Sequence, residues 1–288
     1  MNKASKWRLA VAQKVAPIIA RNPHVQAIML GGSSSRGWAD SYSDIEIGVF
    51  WTKPPTDEER MAPIVPAGGV FWELDDYNEE DDIWMEEWGL GGVKMDMRNL
   101  TVDGIERIIT DVVERYDTSE FKQATANAVF YGIPLHNALL LERWKTRLAS
   151  YPEGLRVAMV QENLLYDDWA WVEMLVQRED MVHSYSDFIE AIEYMVSILM
   201  GLNRFYHPGT KWLDKLTNEM LIVPHDFAVR VKAIFHAQPL EAARLVRSLV
   251  LEVYDVVEKH LPGTDVRQAR KSFLRKREKS ENLPEGIL

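Results

Sequence analysis

The chain has 288 residues, which is enough to bury a substantial core and, at roughly 150 residues per domain, to form about two domains. Its formal net charge of −11 argues against a nucleic-acid partner, because surfaces that collect phosphates carry a basic stripe. The absence of cysteine excludes disulfides, thiolate catalysis and cysteine-ligated zinc.

The first predicted element is an amphipathic helix within MNKASKWRLAVAQKVAPIIA. Gln13 and Lys14 interrupt the apolar run, and the apolar spacing is helical, so we interpret this segment as a helix rather than a signal peptide. No apolar stretch approaches the roughly 20 residues that a membrane span requires. We therefore expect a cytoplasmic protein without a membrane partner.

Two strands are predicted next, VQAIML over 25–30 and DIEIGVFW over 44–51. Alternation with a period of two places Asp44 and Glu46 on one face of the second strand, while the apolar residues between and after them point into the core. The two acids are thus predicted to share a surface just after the Gly-rich turn that ends the first strand.

After the second strand, Thr56 and Glu59 form a predicted capping box for a short helix that could extend to Val65.

A hairpin is predicted further along, from GVFWELDD over 69–76 and GGVKMDMRNL over 91–100. Alternation in the second of these places Asp96 on the polar face. The acidic run from Asp75 to Glu87 is interpreted as the solvated tip of this hairpin. The alternative is that it rims a cleft and attracts a cationic acceptor.

From residue 118 onward the pattern is helical, and its clearest stripe runs from Leu240 to Leu261. The basic segment from Arg267 to Lys279 is interpreted as a solvated final helix. These patterns predict an α+β fold, with strands and helices over residues 1–116 and an all-α helical bundle over 117–288.

The turn and the strand acids have complementary chemistry. Backbone N–H groups of a Gly-rich turn can point at one anion, and Ser33 and Arg36 add a hydroxyl and a fixed positive charge, which suits a phosphate. Asp44 and Glu46 would repel each other unless a cation lay between them. Mg²⁺ prefers carboxylates together with substrate phosphates, and Asp96 is the best candidate for a third ligand. The alternative for Asp96 is a surface acid paired with Lys94 or Arg98.

The spacing from Gly32-Ser33 to Asp44-Ile45-Glu46 resembles the signature of the DNA polymerase β-type nucleotidyltransferase superfamily. Within that superfamily, GSSSRGWADSYSDIE is similar to the matching stretch of aminoglycoside nucleotidyltransferases. LNRFYHPGTKWLDKL, over 202–216, resembles part of the helical domain that follows the catalytic domain in many bacterial nucleotidyltransferases.

The resemblance implies a catalytic domain over residues 1–116 with a mixed sheet, and a helical bundle over 117–288 that closes one side of its cleft. It also implies transfer of a nucleoside monophosphate from an NTP to a hydroxyl, with release of pyrophosphate. It implies two Mg²⁺ ions bridged by the carboxylates of Asp44 and Glu46, with that of Asp96 on the ion nearer the acceptor. The triphosphate would be held by residues of the turn and by one lysine of the helical part. These residues are Gly32, Ser33, Arg36 and Lys211. The alternative for Lys211 is a solvated lysine at the start of a helix.

The antibiotic-modifying relatives use a glutamate of the helical domain as general base. VQENLLYDDW, over 160–169, resembles that helix, but Leu165 stands at the position of the glutamate. Glu162, one turn earlier, is the nearest substitute, and Asp167 and Asp168 lie behind it.

Three functions follow from these patterns. The first is a metal-dependent nucleotidyltransferase acting on a small hydroxylated molecule such as an aminoglycoside-like or lincosamide-like antibiotic. The second keeps the chemistry but changes the acceptor to a protein side chain or an RNA end. The third is a nucleotide-binding or interaction module without turnover, which the missing glutamate at position 165 favours and the retained metal carboxylates oppose.

Overall fold

The structure is a computed structural model that describes residues 1–165 and 168–277. Its contacts divide the chain into two compact units. The first comprises Met1–Pro152 and Tyr206–Pro208, and the second comprises Glu153–Phe205 and the described chain from Gly209 onward. We call them the sheet unit and the helical unit, because the described strands all lie in the first.

The sheet contains the strands β1 (Val25–Leu30), β2 (Ile45–Trp51), β3 (Val70–Leu74), β4 (Trp84–Leu90), β5 (Val93–Thr101) and β6 (Ile133–His136). The described residues form one six-stranded sheet with the order β3-β4-β5-β2-β1-β6. β2 and β5 pair in parallel, and the other neighbouring strands pair antiparallel. The predicted fold class, α+β with a mixed sheet, is confirmed.

The helices of the sheet unit are α1 (Lys3–Ile19), α2 (Gly32–Ser35), α3 (Asp57–Met61), α4 (Val102–Glu114), α5 (Glu120–Tyr131) and α6 (Ala138–Leu148). Those of the helical unit are α7 (Glu153–Glu162), α8 (Trp169–Gln177), α9 (Met181–Leu202), α10 (Leu213–Glu219), α11 (Phe227–His236), α12 (Pro239–His260) and α13 (Arg267–Phe273). The basic segment predicted as a final helix therefore begins as expected at Arg267, and its last residues lie outside the described chain.

Alternation along β2 decides which face of the sheet is buried. Ile45, Ile47 and Val49 are each at most 1% exposed, and they pack in one cluster with the apolar side of α1. The polar residues Glu46 and Asp96 point to the opposite face, because successive side chains of a strand alternate. The assignment of core and polar faces from the sequence is therefore confirmed for these strands.

The capping box at Thr56 is present: its side chain accepts from the backbone N–H of Glu59, whose carboxylate accepts from that of Thr56. The helix α3 ends at Met61, earlier than the predicted limit at Val65.

The hairpin predicted from residues 69–76 and 91–100 is wrong, because β4 lies between those two strands. β3 pairs with β4, and β4 pairs with β5 through a turn at Gly91 and Gly92. Tryptophans and a methionine among the acids of β4 let this segment pack as a half-buried strand. Only the first part of the acidic run is a loop, and Glu86 and Glu87 belong to a strand.

The sheet unit extends beyond residue 116, where the sequence places a domain boundary. β6 pairs with the edge of β1, and α6 contacts α4, α5 and β1. The rings of Phe50 on β2 and Trp144 on α6 meet edge to face with centroids 4.7 Å apart. These contacts join residues 117–152 to the sheet.

None of the helices in residues 1–165 and 168–277 has the length and hydropathy that a membrane-spanning helix needs.

Candidate functional site

Two of the predicted metal-binding carboxylates lie side by side on the polar face of the sheet. Glu46 on β2 and Asp96 on β5 are paired residues in the parallel register of these strands. Asp44 is the residue immediately before β2, and its charge acts on Asp96. The structure therefore brings these acids into one neighbourhood from two segments that are about fifty residues apart in the chain.

The pKa of Asp96 is shifted by burial and by the charged residues around it. Burial raises the pKa of the Asp96 carboxyl, and the negative charges of Asp44 and Glu87 raise it further. Arg98 and Lys94 act in the opposite direction but do not cancel the rise. Burial is the largest cause of the rise, and a cation bound beside Asp96 would stabilise its ionised form.

Glu87 is a site residue that the sequence analysis missed, and Lys94, considered there as a partner of Asp96, is bonded to it. Glu87 on β4 is paired with Asp96 on β5, so Glu46, Asp96 and Glu87 form one row across three strands. The Lys94 ammonium donates to the Glu87 carboxylate. Burial acts to lower the pKa of Lys94, but the bond to Glu87 and the charges of Asp96 and Asp44 outweigh it and raise that pKa. Lys94 is therefore a cation bonded directly to this row of acids, in addition to the nearby Arg98.

The Gly-rich turn lies directly against this row. Gly32 has φ +58°, a left-handed conformation that favours glycine. A Cβ at Gly32 would lie 2.1 Å from Oε1 of Glu46 and 2.2 Å from its Cδ. Gly31 N–H donates to the Glu46 carbonyl at 2.9 Å, and the N–H groups of Trp38 and Ala39 donate to the Ser33 carbonyl. The backbone at Gly32 thus favours glycine, and a larger residue there would displace the Glu46 carboxylate.

Arg36, the predicted triphosphate ligand, is held between two aromatic rings. Its guanidinium lies 3.8 Å from the ring centroid of Trp38 and 3.9 Å from that of Tyr131 on α5. Nη1 of Arg36 also donates to Oδ1 of Asn127 at 3.5 Å, and Asn127 in turn donates to the Tyr206 carbonyl at 2.7 Å. A guanidinium fixed in this way loses little side-chain entropy when it binds an anion.

Tyr131 and Asn127 belong to a segment that the sequence assigned to the helical domain. Their contribution could not be anticipated from spacing, because α5 reaches the turn only through its packing on the sheet unit.

Arg8 of α1 fixes the loop that carries Asp44. Its Nε donates to the Ser43 carbonyl at 2.9 Å, and Nη1 donates to the Ala4 carbonyl at 3.1 Å. Burial lowers the pKa of this guanidinium, while Asp40 and Asp44 act to raise it. A buried arginine thus sets the position of the residue that precedes β2.

The described residues do not contain a ready-made metal cage. Among residues 1–165 and 168–277, no group of three or more His, Asp or Glu side chains is placed to hold a metal ion. The donor chemistry nevertheless fits a divalent ion, because neighbouring carboxylates such as those of Glu46 and Asp96 are ligands that Mg²⁺ prefers. Binding of such an ion would require these side chains to rearrange.

The remaining predicted site residues belong to the helical unit. Glu162 is the last residue of α7 and is exposed, and Lys211 is exposed in the turn before α10. Leu165 is buried, and its carbonyl accepts from the Tyr254 hydroxyl at 2.7 Å. That Glu162 faces the three carboxylates, and that Lys211 reaches the triphosphate, stay predictions.

Asp167 and Asp168 follow Glu162 in the chain. Asp168 caps α8 by accepting from the N–H of Trp171, and it is paired with Arg277 at 3.0 Å. These contacts commit its carboxylate to structural partners. Asp167 lies outside the described residues.

Comparison with known proteins gives a partial match. Residues 115–213, about a third of the chain, match the model of a family described as "Domain of unknown function (DUF4037)". No curated protein matches the chain.

Among solved structures, the chain is similar to a nucleotidyltransferase-like protein from Exiguobacterium sibiricum. The two share 15% identity with a TM-score of 0.33, over 85% of this chain and 77% of that chain. A similarity this distant does not indicate what activity the chain has.

Proposed function

We propose that this protein is a nucleotidyltransferase that moves a nucleoside monophosphate from an NTP to a hydroxyl of a small molecule. The observation that carries the proposal is the pairing of Glu46 with Asp96 beside a glycine turn against which Glu46 packs. The spacing of turn and acids, which resembles the nucleotidyltransferase signature, supports the same conclusion.

In the proposed reaction the acceptor oxygen forms a bond to the α-phosphorus, and the bond from that phosphorus to the bridging oxygen breaks. Pyrophosphate leaves, and the hydroxyl proton passes to a base. Gly32 and Ser33 would approach the triphosphate through their backbone, and Arg36, held between its two rings, would pair with its phosphate oxygens.

Asp44, Glu46 and Asp96 would hold two Mg²⁺ ions, which when bound neutralise charge on the attacking and leaving oxygens. Without them the row of acids would repel a triphosphate. Lys94 limits that repulsion, because its ammonium already neutralises part of the row.

The acceptor is proposed to be a small hydroxylated molecule, with an antibiotic of the aminoglycoside or lincosamide type as the first candidate. Glu162 is the proposed base, because it is a glutamate three residues before the position that the glutamate occupies in the antibiotic-modifying relatives. A protein or RNA acceptor would use the same chemistry.

A second candidate function is nucleotide binding without turnover. It is favoured by one observation, that the described acids do not form a three-ligand metal group as they stand. It predicts NTP binding that does not depend on Mg²⁺ and no product with any acceptor.

Calorimetry with ATP and GTP, with and without Mg²⁺, tests the proposal. We expect NTP binding that Mg²⁺ strengthens, and we expect Asp44→Asn to remove the Mg²⁺-dependent part without unfolding the protein. Asp76→Asn is the matched control, because it removes one exposed carboxylate of the sheet unit. No detectable binding of any NTP would contradict both functions.

Labelled NTPs tested against antibiotic, protein and RNA acceptors then separate the acceptor classes. Label transferred to a small molecule, and lost in Asp44→Asn, supports the leading proposal. Mg²⁺-independent binding with no transfer to any acceptor favours the second candidate.

A further inference from the structure

The edge strand β3 carries a tryptophan, Trp72, that is 50% exposed. Phe71 pairs with Trp88 on β4 and Glu73 pairs with Glu87, so the register shifts between them and Trp72 is the extra residue of a β-bulge. Bulges of this kind are over-represented at sheet edges and next to active sites. The sheet therefore presents a large aromatic side chain to solvent at an irregular point of its edge.

The Trp72 ring lies on the same face of the sheet as the acidic row. Gly89 and Glu87 on β4 are separated by one residue, so both are oriented toward that face. A Cβ at Gly89 would lie 2.6 Å from Cζ2, 2.7 Å from Cε2 and 2.8 Å from Nε1 of Trp72. The glycine thus leaves the space that the indole occupies, and one side of the ring rests on β4.

The ring is two strands away from β2 across the polar face. Gly89 pairs with Lys94 on β5, and the charge of Asp44, the residue before β2, acts on Lys94. Neighbouring strands are about 4.8 Å apart, so the ring is about 10 Å from β2. The carboxylates of Asp96 on β5 and Glu87 on β4 lie in this interval.

In the proposed reaction the phosphates are held at the Gly-rich turn and at Arg36, and the α-phosphorus lies over Glu46 and Asp96. The turn packs on Glu46 from the side of β1, whereas β5 and β4 lie on the other side of β2. The nucleoside is the part of the NTP beyond the α-phosphorus, and its length is comparable to two strand spacings. A nucleoside directed away from the turn therefore brings its base to the Trp72 ring.

We propose that the exposed indole of Trp72 stacks on the base of the bound NTP, an inference that rests on the proposed function. Stacking removes apolar ring surface of both partners from water, and it needs no hydrogen-bond pattern on the base. It is stronger for the larger ring of a purine. Trp72 would therefore give the protein a preference for ATP and GTP over CTP and UTP.

Calorimetry in the presence of Mg²⁺ tests the proposal with ATP and with inorganic tripolyphosphate, which has no base. Trp72→Ala should weaken ATP binding about fivefold to a hundredfold and leave tripolyphosphate binding unchanged. Trp72→Phe should recover part of the ATP affinity, because it restores an aromatic face. The preference for ATP over CTP should shrink in Trp72→Ala.

Phe71→Ala is the matched control. Phe71 is the neighbouring aromatic residue on β3 and is 47% exposed, but it pairs with Trp88, whose side chain belongs to the core on the opposite face. We expect this variant to bind ATP and tripolyphosphate as the natural protein does.

The results separate this inference from the proposed function. If the natural protein does not bind ATP, both fail together. If it binds ATP and Trp72→Ala binds ATP equally well, this inference alone is wrong, and the indole is then available to the acceptor. An equal loss of affinity for ATP and tripolyphosphate in Trp72→Ala would also overturn it, because the ring would then support the site without contacting the base.

Discussion

Glu86 is predicted to make this protein less stable as the pH rises from acid to neutral. Burial raises the pKa of its carboxyl from 4.5 to about 8, although the hydrogen bond from Asn99 and the nearby Arg60 oppose the rise. Below about pH 4.5 the carboxyl is protonated in both the folded and unfolded states and costs nothing. Above that pH the unfolded chain ionises while the folded protein keeps its proton.

The free energy of unfolding should therefore fall by about 1.4 kcal/mol per pH unit between about pH 4.5 and about pH 8 because of this group. The full effect amounts to about 5 kcal/mol as an upper limit, since relaxation and water entry reduce such penalties in real proteins. With respect to this group, the folded protein is most stable below about pH 4.5, and it loses that stability as the pH rises to about 8.

Glu86→Gln removes the ionisation but keeps an oxygen that can accept from Asn99. Urea denaturation of both proteins at several pH values measures the difference. We expect the stability of the variant relative to the natural protein to increase by roughly 2–4 kcal/mol from about pH 5 to about pH 8. Other titrating groups cancel in this comparison.

Glu73→Gln is the control, because it removes an exposed carboxylate from the neighbouring strand β3. Parallel stability curves for the natural protein and Glu86→Gln from about pH 5 to about pH 9 would refute the reasoning.

Three further predictions concern the proposed site. Gly32→Ala should weaken NTP binding several-fold more than Gly91→Ala in calorimetry, because both glycines have φ near +60° but only at Gly32 would the Cβ displace the Glu46 carboxylate. Tyr131→Leu should weaken NTP binding several-fold in calorimetry without changing the fold, because Arg36 loses one of its two rings; equal affinity would show that the stack is only structural. Glu162→Gln should lower turnover by about a hundredfold to ten-thousandfold if Glu162 is the base, and an unchanged pH profile would assign the proton to another acceptor.

Local patterns were sufficient for several parts of this structure. The alternation in residues 44–51 identified the buried face of β2, and the sequence around Thr56 identified a capping box. Both are set by neighbours within four residues, so the chain itself specifies them. Local pattern gave the wrong prediction at β4, because its acidic residues are typical of a solvated loop although the segment forms a strand.

The sequence by itself determined that a glycine turn, Arg36 and the strand acids Asp44 and Glu46 belong together, because these residues are adjacent in the chain. Only the tertiary structure decided that Asp96 lies beside Glu46 and Glu87 beside Asp96. It also decided that the Tyr131 ring lies against Arg36, and that the buried side chains of Arg60 and Glu86 lie 3.5 Å apart. Strand partners and register between distant segments are selected by packing of the whole core, and no local pattern encodes that choice.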